Sequence, residues 1–524
     1  MKQYVLYLNL CFCLFLIGLA PALLNHTVSA QQPIIKWSSP PESANNSFGR
    51  SIGASSSHAI VGAPKANGSA TESGLAYIYD LSNLSDQPVQ TLKAPDAASG
   101  DEFGFSVAMT EYFAFVGARL DNIGDSTDVG RVYVFKRDGA NWTFHQTINP
   151  PDTSSDMRFG GAIAAHEDNL VVGAPGADRF GLEELGSAFS YILEDDDWVY
   201  EEDLFRAMPA ENEHYGFSVD VHDTTAVVGM HYFTNRISFP AKFDQAHVFT
   251  RRPPNGFWSV GTGLSERNSR FNDKYAFSVA TWGNRVLVGA YEDEYSTGEQ
   301  ATYGVVHVYE NDGNGWIRQD SLRADVPESF GKFGFEVDLE GNTAAIAAHD
   351  YGPAGAAFVF TYENGTWSQT RKFQHPNPPT SGQFGNYGTE VKLSGPYLMV
   401  NSALFDEVNG DDIAVYVYMN NEFVTSNDSE EDARSIPTKI KLDPAYPNPF
   451  NPSTTITYLL PQTSQVSVKV YNSIGRQVAT LLNRQQAEGS HQIKWNAEGM
   501  AGGLYFIRLQ TPNTQLVRKV TLIK

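Results

Sequence analysis

The sequence predicts an all-β chain, a seven-bladed β-propeller followed by a small Ig-like β-sandwich. Three observations predict it. The first is a frame that occurs seven times, an aromatic residue with a second anchor 14 residues later. The aromatics are Phe48, Phe103, Phe159, Tyr215, Tyr275, Phe333 and Tyr387, and the anchors are Gly62, Gly117, Gly173, Gly229, Gly289, Ala347 and Asn401. Successive copies are 55, 56, 56, 60, 58 and 54 residues apart, and self-similarity at such a period marks a repeat architecture. The second is that every copy contains short runs of alternating apolar residues, rich in β-branched and aromatic side chains and punctuated by Gly, Asn and Asp, while no stretch has the spacing of an amphipathic helix. The third is a change of composition near residue 437, after which the chain becomes basic and strand-rich.

The elements follow in order. Residues 1–30 read as a secretory signal peptide. Lys2 precedes a long apolar run, and Val28-Ser29-Ala30 places small residues before a cut between Ala30 and Gln31. The alternative is an uncleaved membrane anchor; no later apolar run is long enough to span, so the mature chain is expected to lack a transmembrane segment. Cys11 and Cys13 both lie in this leader, which leaves the mature chain without disulfides, thiolate metal sites or a cysteine nucleophile.

Residues 31–424 hold the seven repeats. Each has an alternating run after the aromatic, an apolar run ending at the second anchor, a third run such as "GRVYVFK", and a fourth that begins near Trp142, Trp198, Trp258, Trp316 or Trp367 in five copies. Four strands in each of seven repeats of about this length is the arithmetic of a propeller. The glycines that follow the aromatics allow a tight turn or close backbone approach, and the large rings can pack between blades. Ala276 breaks the first glycine column, and Ala347 and Asn401 break the second, so the last two blades are expected to be the least regular. The seventh copy lacks a good fourth run. Ile34–Trp37, before the first frame, is expected to supply the outer strand of the last blade and so close the ring.

The frame resembles the FG-GAP repeats of integrin α-chain propellers, and more nearly their bacterial form with a short first hairpin. The resemblance covers about 390 residues and implies the fold, not the ligand. Integrin-type repeats often carry a D-x-D-x-D-G calcium loop between the two anchors. Here that interval is too short for one, so no metal or other cofactor is expected. Calcium stays open only through "DNIGDSTD", Asp121 to Asp128, whose carboxylates also read as a solvated acidic loop. In similar propellers the loops after the second anchor gather on one face. Two of them are aromatic, with Tyr232 and Phe233, then Tyr291, Tyr295 and Tyr303. These five are the candidate binding-face residues, since exposed rings beside acids suit sugar stacking or protein contact; the alternative is that the rings lie down on blade edges.

Residues 425–440 are polar and charged and read as a linker. Residues 441–524 contain the runs "TTITYLL", "QVSVKVY", "QVATLLN", "HQIKWNA", "GLYFIRL" and "LVRKVTLI", enough strands for a small sandwich. This segment resembles the type A sorting domain of type IX secretion, through "YPNPFNPSTTITYLLP", "VKVYNSIGRQVATLL" and "GSHQIKWNAEGMAGGLYFIRL". The resemblance implies the type IX machinery as a partner. It also implies a location that is secreted or on the outer-membrane surface of a Gram-negative bacterium, with the tail removed on export.

Charge and motifs narrow the function. From residue 437 onward ten Lys/Arg face three Asp/Glu, a net of +7, which leaves −31 for residues 31–436 of the total −23 once Lys2 is set aside. So acidic a body excludes the basic footprint of nucleic-acid binding. "GRSIG", Gly49 to Gly53, has the spelling of a nucleophile elbow but falls on the repeat frame rather than on a strand-turn-helix. "AHED" at 165–168 lacks the second histidine of a zinc helix. His247 and His307 occupy a strand position held by Tyr or Phe in sister copies and are expected to pack. No catalytic residue is assigned. The expectation is a binding or adhesion protein for an unknown extracellular protein or polysaccharide; a secreted polysaccharide-active enzyme and a passive surface-layer component are the alternatives.

Overall fold

The structure is a computed structural model that describes residues 32–40, 47–206, 211–231, 245–251, 256–259, 261–265, 273–293, 302–378, 386–404, 412–419, 441–442, 450, 452–460, 463–472, 476–486, 489–497, 499–512 and 514–523. The leader with its Ala30–Gln31 junction and the linker 425–440 lie outside these residues. The chain divides into two compact units, Met1–Glu422 and Phe423–Lys524.

Among the described residues the first unit is propeller-like, with strands and no helix. Seven four-stranded antiparallel sheets follow one another along the chain. Their first strands are Ile52–Ala54, Phe103–Met109, Ala162–His166, Ser218–His222, Tyr275–Trp282, Val337–Glu340 and Val391–Ser394. Each of these touches the next, and the seventh touches the first, so the sheets form a closed cycle around an axis. The aromatic of each frame is buried against a ring of the third strand of its own sheet: Phe103 against Tyr133, Phe159 against Phe189, Tyr387 against Tyr416, with centroids 5.6, 5.7 and 5.9 Å apart. His247 and His307 occupy that same third-strand position, 5.7 Å from Tyr215 and from Tyr275 respectively. Both are packing residues. Burial pushes His247 down to about 4, so it stays neutral in the core.

The second anchor is glycine because the next repeat's turn lies against it. A Cβ on Gly62 would stand 2.0 Å from the Gly104 carbonyl oxygen, and one on Gly173 would stand 2.0 Å from that of Gly216. Ala276 occupies the turn position in the fifth repeat and takes the same left-handed conformation, φ 60°. At the seam, Asn401 replaces the close approach with a bond. Its Nδ2 donates to the Gly49 carbonyl at 3.1 Å, while its Oδ1 accepts from the backbone N–H groups of Thr389 and Glu390. The last two sheets are therefore not the least regular. Their first three strands pair without a break in register, and irregular pairing of the first two strands occurs instead at Phe103/Ser106 and Tyr275/Val279.

The ring is closed by the N-terminal strand Ile35–Ser38, which pairs antiparallel with Asp412–Met419 as the outer strand of the seventh sheet, Ile35 opposite Val417 and Trp37 opposite Val415. Trp37 is fully buried, stacked on Tyr79 of the first repeat at 4.1 Å, and its Nε1 donates to the Ser85 carbonyl. One side chain thereby joins the last sheet to the first.

In the second unit, strands Lys441–Leu442, Ser453–Leu460 and Gly489–Asn496 form one sheet, and Ser464–Asn472, Gln477–Gln486, Gly503–Gln510 and Gln515–Leu522 form another. Side chains from both sheets, including Ile456, Tyr458, Trp495, Tyr505 and Ile507, build one core.

Candidate functional site

A first strand in a closed cycle has an outer neighbour within its sheet but none on the axis side, so its inward N–H groups need other partners. The sequence supplies them from the preceding repeat. Ser51 Oγ accepts from Val107 N at 3.2 Å, Asp220 Oδ2 from Thr281 N at 2.6 Å, Asp338 Oδ2 from Leu393 N at 2.6 Å and Glu390 Oε1 from Ile52 N at 3.1 Å. Three other serines at Ser51's position, three after the aromatic, do the reverse and donate to the next turn's carbonyl: Ser106 to Gly160, Ser218 to Ala276 and Ser278 to Gly334.

These strands enclose a cavity of about 680 Å³ on the axis, lined by residues of all seven repeats. Its charged groups sit in two layers. The inner layer holds Asp220, Glu336, Asp338, Glu390 and Lys392. Lys392 Nζ bonds Asp338 Oδ1 at 2.7 Å. Burial pushes Asp220 up to about 7, against the pull of Lys392 and aided by repulsion from Asp338. Burial also raises Glu336 and Glu390 above the usual carboxylate range, and for Glu336 the next cause is the neighbouring Glu390. Burial opposes the charge on Lys392, but Asp338 and Asp220 outweigh it and hold the proton more firmly than usual.

The outer layer lies where the aromatic-Gly turns gather, and it is divided. On the side of repeats 1–3 stand Arg50, Arg119 and Arg158. The guanidinium carbons of Arg50 and Arg119 lie 4.4 and 3.5 Å from the centroid of Phe105, which both share. Glu102 pairs with Arg119 at 2.7 Å. Burial above all, with added repulsion from Arg50 and Arg158, still lowers Arg119 from its ordinary value. On the side of repeats 4–6 is an arc of half-buried rings, Phe217, Phe277 and Phe335, with centroids 5.0 and 4.8 Å apart along the arc.

Of the residues expected at the binding face, Tyr232, Phe233 and Tyr295 lie outside the described residues. Tyr291 is 8 % exposed. Rather than standing free, it packs edge-on against Phe277 at 4.8 Å and lies 5.3 Å from Phe335, supporting the arc from behind. Tyr303 is half-buried, and its backbone N–H donates to the Asp293 carbonyl. In the acidic loop after the second anchor, Asp121 is buried and held by Arg131 and the Tyr133 hydroxyl; burial pushes it up to about 6.

The second histidine that "AHED" lacked comes from the next repeat. His166, His222 and Asp223 stand close enough to hold a metal ion. However, His166 Nδ1 accepts the Asp223 backbone N–H and His222 Nδ1 accepts that of Gly283, both at 3.2 Å. Both Nδ1 lone pairs are engaged in these bonds, so a metal held through them would have to break the contacts. Both histidines thus do what Glu340 does for Gly395 one repeat later, satisfying an inward N–H.

Sequence comparison finds a family match in each unit. Residues 87–135 and 142–191, which contain the second and third frames, match the FG-GAP repeat, and residues 444–524 match the secretion system C-terminal sorting domain. The chain carries FG-GAP repeats and a type IX sorting domain. The sorting domain directs the chain to the type IX machinery, so it is exported to the cell surface or secreted. No curated protein matches it. Among solved structures it is similar to PorZ, a surface component of the type IX secretion system of Porphyromonas gingivalis, at 12% identity and TM-score 0.26 over 90% of this chain and 70% of that one. It is also similar to a putative 6-phosphogluconolactonase of Bacteroides fragilis, at 11% identity and TM-score 0.38 over 66% of this chain and 93% of that one. Among the described residues, no helix is long and apolar enough to cross a membrane.

Proposed function

We propose that residues 31–424 are a seven-bladed β-propeller and residues 441–524 an Ig-like sorting domain, and that the propeller is a surface-displayed or released module that binds extracellular protein or polysaccharide. The axial cavity carries this reading. Its size is that of a small-ligand site, and it combines half-exposed phenylalanines with arginines, two of which have no carboxylate within ion-pair distance among the described residues. The purified exported chain should bind a member of a panel of polysaccharides and extracellular proteins saturably, with calcium and with chelator; loss in chelator alone would bring in a metal loop. No binding in either buffer, with self-association of the chain, would replace the reading with a passive surface-layer component.

A second reading, a polysaccharide-active enzyme, draws on the carboxyls that converge in the inner layer with raised pKa values. Against it, Asp220, Asp338 and Glu390 each already accept an inward N–H, and FG-GAP repeats with sorting tails are typical of non-enzymatic surface proteins. New reducing ends released by the wild-type chain and abolished in Glu336→Gln would establish the enzyme.

A further inference from the structure

We propose that the outer layer of the axial cavity is a binding site for an acidic saccharide, its carboxylate held among Arg50, Arg119 and Arg158 and its ring laid on Phe217, Phe277 and Phe335. This rests on the binding reading above and specifies its ligand.

Three observations carry the proposal. The first is a group of three arginines in a body that is otherwise strongly acidic; Arg50 feels the buried carboxyls of Glu336 and Glu390 but makes no direct ion pair with them. Arg50 and Arg158 line the cavity without an ion-pair partner among the described residues, and only Arg119 has one, Glu102, which it shares with Lys65. Guanidinium groups brought together this way repel one another unless an anion joins them, and planar carboxylates match their fork geometry. The second is the opposite wall. Three adjacent phenylalanines, supported from behind by Tyr291 and by His349 at 4.1 Å from Phe335, present an apolar surface to the same opening, suited to the C–H face of a pyranose. The third is the floor, where Glu336 and the second carboxyl oxygens of Asp220 and Glu390 can meet sugar hydroxyls.

A peptide fits this chemistry less well. An extended peptide gains most of its affinity by pairing with an exposed strand edge. Here the inward N–H groups of Val107, Thr281, Leu393 and Ile52 are already taken by side chains. A hydroxyl-rich ring needs side-chain acceptors instead, and these are what the cavity provides.

The test is titration calorimetry of the full exported chain with a galacturonate trisaccharide, its carboxyl-reduced counterpart, a sulfated trisaccharide of the same length and a peptide ending in a free carboxylate. The galacturonate should bind saturably and weaken as salt is raised, and the carboxyl-reduced sugar should bind about tenfold or more weakly. The double variant Arg50→Ala/Arg158→Ala should lower affinity by about tenfold or more, while Arg50→Lys/Arg158→Lys recovers part of it. Thermal unfolding of each variant separates loss of the site from loss of the fold. Equal affinity for the acidic and reduced sugars, or an unchanged affinity in the folded double variant, overturns the proposal but leaves a binding module. Preference for the sulfated sugar or the peptide reassigns the anion and overturns the carboxylate-sugar claim. Absence of binding in all four arms and throughout the wider panel overturns both.

Discussion

Asp220 stands five residues after its frame aromatic, where the first three repeats carry Gly53, Ala108 and Ala164. Its carboxyl titrates near 7 in the folded chain and near 4 in an unfolded one. The raised value stabilises the fold below the unfolded pKa, and that contribution is lost as pH rises to and past 7. Asp220→Asn keeps an acceptor for Thr281 N and removes the buried charge. Urea unfolding should therefore show the variant close to wild type at pH 4 and more stable at pH 8, by on the order of 1 kcal/mol; a variant less stable at pH 8 would show that the charge itself supports the ring. These residues were open to sequence reading in a way that was not used. The column five after the aromatic reads Gly, Ala, Ala, Asp, Ala, Asp, Lys, and the column three after it reads Ser, Ser, Ala, Ser, Ser, Glu, Glu. Charges that break a column of small residues point to the axis. What no single sequence shows is that Arg119 and Arg158, at unrelated frame positions, meet Arg50 across repeat boundaries.

The strand Ile35–Ser38 is the element on which closure depends, and it was legible because "IIKW" matches the end of a fourth run in other repeats while the seventh copy lacks one. Burial of Trp37 alone is worth about 3–5 kcal/mol on truncation, before the pairing with Asp412–Met419 is counted. Removing residues 31–40 should lower the unfolding temperature sharply, and calorimetry giving an unchanged temperature would contradict the closure. Outer strands are linked in a further way that the tryptophans only hinted at. The Gln90 side chain bonds both the N–H and the carbonyl of Trp142, Gln146 bonds both of Trp198, and Glu202 accepts from Trp258 N. The spacing located the tryptophans but not these partners, because a glutamine on an exposed strand face carries no periodic signal. The expected irregularity of the last two sheets failed for a similar reason. Asn401 was read as a lost glycine, whereas its amide replaces contact with hydrogen bonds.

At the scale of the whole chain, the repeats and the tail have separate compositions, cores and family matches. The tail's task should therefore be removable without dismantling the first unit. A chain ending at residue 440 should accumulate inside the cell envelope instead of reaching the surface or medium, as fractionation and immunoblotting would show; surface display of the truncated chain would refute the role of the sorting domain. The pairing of Ile35 with Val417 also has a consequence in time. Strands within a repeat meet over short stretches of chain and can pair early, but the closing pair joins the two ends of the first unit, and such non-local contacts form slowly. Until residue 419 has been synthesised the ring has no last sheet, so the first and seventh repeats wait with unmatched faces. The step that makes this molecule circular is thus expected to be its slowest, and it needs an early segment of the chain to remain unpaired until a segment almost 400 residues later arrives.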